Sequence, residues 1–119
     1  MALADARRFT AAYAAIAEYA GFFEERGFGA AAADVRARWD AGDRDGAAAK
    51  VGEEMARTFV ACGTPDAVRA EIDAAWQEAD SMLLSPPFWG LPPQRIGHWA
   101  QAIARYGLEE YRASACAGS

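Results

Sequence analysis

The chain has 119 residues, enough for one domain with a buried core, but its 53% hydrophobic content is inflated by alanine. A net charge of −5, with scattered basic residues and Lys50 as the only lysine, excludes nucleic acid as a partner, because phosphate binding needs clustered Lys and Arg. No apolar run approaches the ~20 residues that span a bilayer, and the charged start Met1-Ala2-Leu3-Ala4-Asp5-Ala6-Arg7-Arg8 lacks a signal peptide's apolar stretch, so a soluble cytoplasmic protein is expected.

The first predicted helix covers residues 3–25. Phe9, Tyr13, Ile16, Ala20 and Phe23 recur at spacings of one helical face, and Tyr19 and Phe22 widen it. Gly27 and Gly29 supply the stop. A short second helix, residues 30–40, shares a face among Phe28, Ala32, Val35 and Trp39. Ala41-Gly42-Asp43 breaks it, and Asp43 is a good N-cap for the next helix. That third helix, residues 44–61, buries Ala47, Val51, Met55, Thr58 or Phe59, and Cys62. Gly46 and Gly52 should each weaken it by about 1 kcal/mol relative to alanine.

At Gly63-Thr64-Pro65-Asp66 one helix is closed and the next begins. Threonine is the cap, proline takes the first position where no N–H is needed, and aspartate favours the dipole. The fourth helix, residues 65–79, turns Val68, Ile72, Ala75, Trp76 and Ala79 inward. A short strand is predicted at residues 81–85, ended by Pro86 and Pro87, which donate no ladder hydrogen bond. The apolar loop Phe88-Trp89-Gly90-Leu91-Pro92-Pro93 must either pack on something or line a cavity. A final helix, about 94–106, uses Ile96, Trp99, Ile103 and Tyr106 and ends at Gly107. The expected fold is thus mostly α, with about five helices and one short strand.

Chemistry-bearing patterns are few. Cys62 and Cys116 read as free thiols. His98, the only histidine, sits beside Trp99 as a polar helix residue rather than a catalyst. No metal site is expected, since no His/Cys pair has ligand spacing and Glu53-Glu54 and Glu109-Glu110 look like solvated faces. Gly27-Phe28-Gly29 is preceded by no strand and reads as a helix cap, not a nucleotide motif. Ser81 and Ser85 lack the glycines of a nucleophile elbow.

Several segments, in order, carry a resemblance: Arg7-Arg8-Phe9-Thr10-Ala11-Ala12-Tyr13, Tyr19 to Gly29, Trp39-Asp40-Ala41-Gly42-Asp43-Arg44, Gly63-Thr64-Pro65-Asp66-Ala67-Val68-Arg69, and Met82-Leu83-Leu84-Ser85-Pro86-Pro87. Together they resemble the C-terminal part of a luciferase-like flavin- or deazaflavin-dependent oxidoreductase, of the luciferase-like monooxygenase family. The resemblance covers residues 7–90, leaving a terminal helix at 91–112 and a disordered tail at 113–119 in a single partial domain. It implies a (β/α)8 TIM barrel that binds FMN or a deazaflavin coenzyme at the C-terminal mouth of its strands and transfers hydride or activates oxygen. A complete barrel needs about 250 residues, so the chain corresponds to less than half of one. The coenzyme-contacting segments lie in earlier strands, and no catalytic or cofactor-binding residue is carried over. Ser85, Phe88 and Trp89 are implied only as pocket lining. One departure is local: the family has a glycine before its last strand where this chain reads Gln77-Glu78-Ala79-Asp80.

These readings leave two expectations. The first is a C-terminal portion inactive alone, binding no coenzyme by itself, whose partner is the remaining barrel or a second copy. The alternative is a stand-alone helical small-molecule-binding or dimerisation protein, with a pocket among Phe22, Trp39, Trp76, Phe88 and Trp89.

Overall fold

The computed structural model describes residues 2–81, 83–86 and 88–105. Among them are seven α-helices: α1 (Leu3–Ala14), α2 (Ala20–Glu25), α3 (Gly29–Asp40), α4 (Arg44–Ala49), α5 (Glu53–Phe59), α6 (Pro65–Trp76) and α7 (Pro93–Ile103), with a 3₁₀ turn at Ala17–Tyr19. Two of the expected long helices are broken, which raises the number from about five. The first stops at Ala15, and Ile16 is extended (φ −81, ψ 117) before the chain re-enters a helix. The third stops at Lys50, and Gly52, extended at φ −70 and ψ 165, becomes the N-cap of α5. Glycine at a cap is tolerated far better than inside a helix, so the expected interior penalty at Gly52 does not apply.

The predicted strand is also corrected. No described residue is in a strand, and Ser81 and residues 83–85 have no regular structure. Met82 lies outside the described residues, as do Pro87, Tyr106, Gly107, the Glu109-Glu110 pair, Cys116 and the expected tail at 113–119. The physical reason is pairing: a strand needs a neighbour for its N–H and C=O groups, and helices offer none.

Helix α1 is the hub, packing on α3, α4 and α5, while α2 packs on α3. Its fully buried side is Ala6, Ala11 and Ala14 rather than the predicted aromatic stripe. Alanine lets neighbouring backbones approach closely, and Phe9 and Tyr13 are left partly buried at the margin. The core is completed by Phe23, Ala32, Val35, Ala47, Val51, Met55, Ala56, Val60 and the free thiol of Cys62. Tyr19 and Phe22, expected on the widened stripe, are 42% and 44% exposed. On α6 none of the predicted inward residues is buried; Val68 and Ile72 are half-covered and Trp76 is exposed.

The helix ends are well made. Gly27 (φ +83) closes α2, with its N–H donating to Glu24 O at 3.0 Å and Phe28 N–H to Phe23 O at 2.9 Å. Asp43 caps α4 by accepting from Gly46 N–H at 2.8 Å and also pairs with Arg38 at 3.2 Å. Arg36 Nη1 donates to Ala14 O at 3.2 Å, tying α3 to the carbonyl end of α1 where a cation is favoured. Arg57 Nε donates to Glu53 Oε1 at 2.8 Å and its Nη1 to Cys62 O at 3.2 Å, bracing the turn after α5. The hydrogen bond to Glu53 holds the Arg57 pKa above its ordinary value. No helix among the described residues is long and apolar enough to cross a membrane.

Candidate functional site

The break at Ile16 lets the chain fold back so that α2 faces α5. Phe59 then meets Phe23 (ring centroids 4.8 Å), Phe22 (5.3 Å) and Phe28 (5.7 Å). Across from them α1 presents Phe9 and Tyr13, edge to face at 5.0 Å, and Tyr19 leans on Tyr13 at 5.8 Å. Between these groups lies a cleft of about 290 Å³, lined by Phe9, Thr10, Tyr13, Tyr19, Phe22, Phe23, Phe59 and Val60. No charged side chain lines it. Arg26 sits over the Phe22 ring at 3.8 Å, a cation–π contact that helps hold an otherwise exposed aromatic.

One polar atom in this wall stands apart. Thr10 is 2% exposed and its Oγ1 has no hydrogen-bond partner. An unpartnered buried hydroxyl costs about 1–3 kcal/mol, so this one is a standing liability of the free fold.

The apolar loop lies across α1 beside the cleft. Phe88 approaches Phe9 at 6.3 Å and Trp89 approaches Tyr13 at 5.3 Å, and both loop rings are about half exposed. Gly90 has φ +76, and a Cβ there would meet Arg8 O at 2.5 Å, so the loop backbone is seated directly on α1. Beyond it Asp5 Oδ2 accepts from Arg95 Nε (3.0 Å), Arg95 Nη2 (2.5 Å) and Trp99 Nε1 (2.8 Å), which fastens α7 to α1.

Of the residues singled out by resemblance, Phe88 and Trp89 touch two of the lining rings, whereas Ser85 is exposed and its Oγ donates to the neighbouring Pro86 O at 3.2 Å. The wider pocket set is not gathered. Phe22 lines the cleft, but Trp39 packs under the Arg44 guanidinium at 3.8 Å and Trp76 lies on the exposed α6. Phe22 is the one cleft residue in the expected pocket set; Phe9, Tyr13, Tyr19 and Phe23 are expected only as a helical face, and Thr10, Phe59 and Val60 are expected near no pocket at all. Phe59 carries a helical-face signal, but only the turn at Ile16 sets α2 against it. His98 is exposed with its ring 4.6 Å from Trp99. Among the described residues no group of three His, Cys, Asp or Glu could hold a metal ion.

Comparison with known families matches residues 1–81 to the model for luciferase-like monooxygenase. No curated protein and no solved structure matches the chain.

Proposed function

The chain belongs to the luciferase-like monooxygenase family, and from that premise we propose that it is the C-terminal portion of a luciferase-like oxidoreductase, cytoplasmic and inactive alone. In this reading it completes a (β/α)8 barrel whose earlier strands come from a partner portion. The observation that supports it is the state of the helix-turn-apolar unit after Cys62. Helix α6 buries no side chain, and the run after it leaves Leu83 90% exposed. An apolar segment in that condition is what a neighbouring sheet would cover.

The coenzyme of the parent reaction, FMN or a deazaflavin, does not fit the aromatic cleft. Its isoalloxazine-type ring could lie against aromatic walls, but its phosphate needs cationic or backbone N–H donors. The cleft lining offers neither Arg nor Lys. No step of hydride transfer or oxygen activation is therefore assigned to these side chains, and Ser85, Phe88 and Trp89 remain the residues that would face the active mouth. Titration of the purified chain with FMN, followed by flavin fluorescence, should show no binding; addition of a barrel portion carrying the earlier strands should restore binding and activity. Saturable FMN binding by the chain alone would overturn the reading.

A second reading, a stand-alone helical small-molecule-binding or dimerisation protein, draws on one observation. The fully buried core cluster is drawn entirely from residues 6–62, as an independently folding unit requires. A monodisperse protein with a cooperative melt favours it, and an aggregated product disposes of it.

A further inference from the structure

We propose that residues 88–103 form a strap on the outer stripe of α1, and that it opens as one body while the core on the other side of α1 stays closed. The proposal stands apart from the barrel reading, because every contact it uses is internal to this chain.

Helix α1 is covered on two sides. Its inner side, Ala6, Ala11 and Ala14, belongs to the core cluster. Asp5 and Ala12 are buried as well, at 9% and 6% exposed, yet Ala12 stands outside that cluster. The strap is what covers them. A Cβ on Gly90 would lie 3.3 Å from Ala12 Cβ, so the loop backbone rests on that alanine. Asp5 Oδ2 accepts from Arg95 and Trp99, while Phe88 meets Phe9 and Trp89 meets Tyr13. Asp5, Phe9 and Tyr13 follow one another at four-residue intervals, which is one stripe of a helix.

Opening as one body follows from how the strap is built and held. Its aromatic end and its polar end are joined by Pro92, Pro93 and the helix α7, a short and stiff connection. From Asp80 to Leu91 no described residue is in a helix or strand, so the chain can swing there without breaking a backbone ladder. Helix α7 buries no side chain, and its release gives up the Asp5 hydrogen bonds and the ring contacts. Opening of the core must instead expose Val35, Val51 and Met55. The first event is therefore far the more frequent. It uncovers Asp5, Phe9, Ala12 and Tyr13, and because Phe9 and Tyr13 also line the cleft, the strap sets how much of those two rings is accessible. The stripe lies within the family-matched residues 1–81 and the strap lies beyond them.

Thiol labelling of the folded full chain tests this. With Cys116→Ser in place, Ala12→Cys reports on the strap and the native Cys62, 1% exposed in the core, reports on the core. The thiol of Ala12→Cys should react about a hundred-fold or more faster than Cys62. Adding Asp5→Asn should speed it a further ten-fold or so and leave the Cys62 rate unchanged. In the unmodified chain, amide exchange of α7 should depend only weakly on urea below the unfolding range, whereas that of α1 and α3 should rise steeply. Equal labelling rates would overturn the proposal. So would an Asp5→Asn acceleration shared by both thiols or absent from both, or α7 amides that follow the urea dependence of α1. If α7 protection in Ala12→Cys falls below that of the unmodified chain, the added sulfur has itself lifted the strap, and the urea series on the unmodified chain decides.

Discussion

Residues 3–62 and residues 63–105 are both largely helical, yet they are held by different means. Every buried side chain among the described residues lies in the first stretch, and α6 and α7 contribute none. The contrast runs against hydrophobic patterning. Helices α6 and α7 separate apolar from polar faces more sharply than α3, but it is α3 that buries Ala32 and Val35 completely. An amphipathic face states what a helix could bury; whether it does depends on a partner being there. The second stretch is instead attached at discrete points: the Asp5–Arg95–Trp99 cluster, the Phe88 and Trp89 rings, and Gly90 against Arg8.

The largest effect expected from this contrast is in the core. Met55, 2% exposed, should lose about 2–5 kcal/mol of unfolding free energy on truncation to alanine. Leu83→Ala, at a position 90% exposed, should change it by no more than about 0.5 kcal/mol. Urea unfolding of the two variants measures the difference, and equal losses would mean that the second stretch has a core of its own.

Asp5→Ala should come next. It removes the acceptor of three hydrogen bonds, two from a guanidinium, at about 1–3 kcal/mol. Most of this should appear locally, as faster amide exchange over residues 93–103 with protection in α1 and α3 retained. Loss of protection everywhere would show that the chain melts as one unit and would erase the distinction.

Gly90→Ala combines a positive φ with a close approach to Arg8 O. A cost of about 1–3 kcal/mol is expected, confined to the loop and visible as a red shift of Trp89 emission. The finest comparison pairs two caps. Thr64 and Asp43 each accept from a backbone N–H three residues on, at 3.3 Å and 2.8 Å. Alanine at either should cost about 1 kcal/mol. At Asp43 the loss should lower the midpoint of the whole core, whereas at Thr64 it should reduce helicity only in α6. Identical shifts in global midpoint would count against two differently held regions.

Local features were legible in the residues. Asp43 and Thr64 cap their helices as their types and positions predict, Gly27 ends α2 in the left-handed region, and Val35, Ala47, Val51, Met55 and Cys62 are buried as their spacing indicates. The aromatic stripe on the first helix was legible as a stripe but not as a cleft wall. Its inward replacement by Ala6, Ala11 and Ala14 reflects how near α3, α4 and α5 come, a distance that no single helix encodes. The pocket set that included Trp39 and Trp76 rests on residue type alone, and Arg44 and the exposure of α6 redirect those rings.

The sequence determined by itself the interactions that close within a few residues: caps, glycine stops, helical faces, and the ordered segments that mark the family. Only the tertiary structure decided the interactions that close over long separations. The return of the chain at Ile16 places Phe22 and Phe23 on Phe59, and the folding of residues 88–99 over α1 brings Arg95 and Trp99 to Asp5. The predicted strand failed for the same reason. A helix satisfies its backbone within its own turns, while a strand depends on a neighbour that must be present in space.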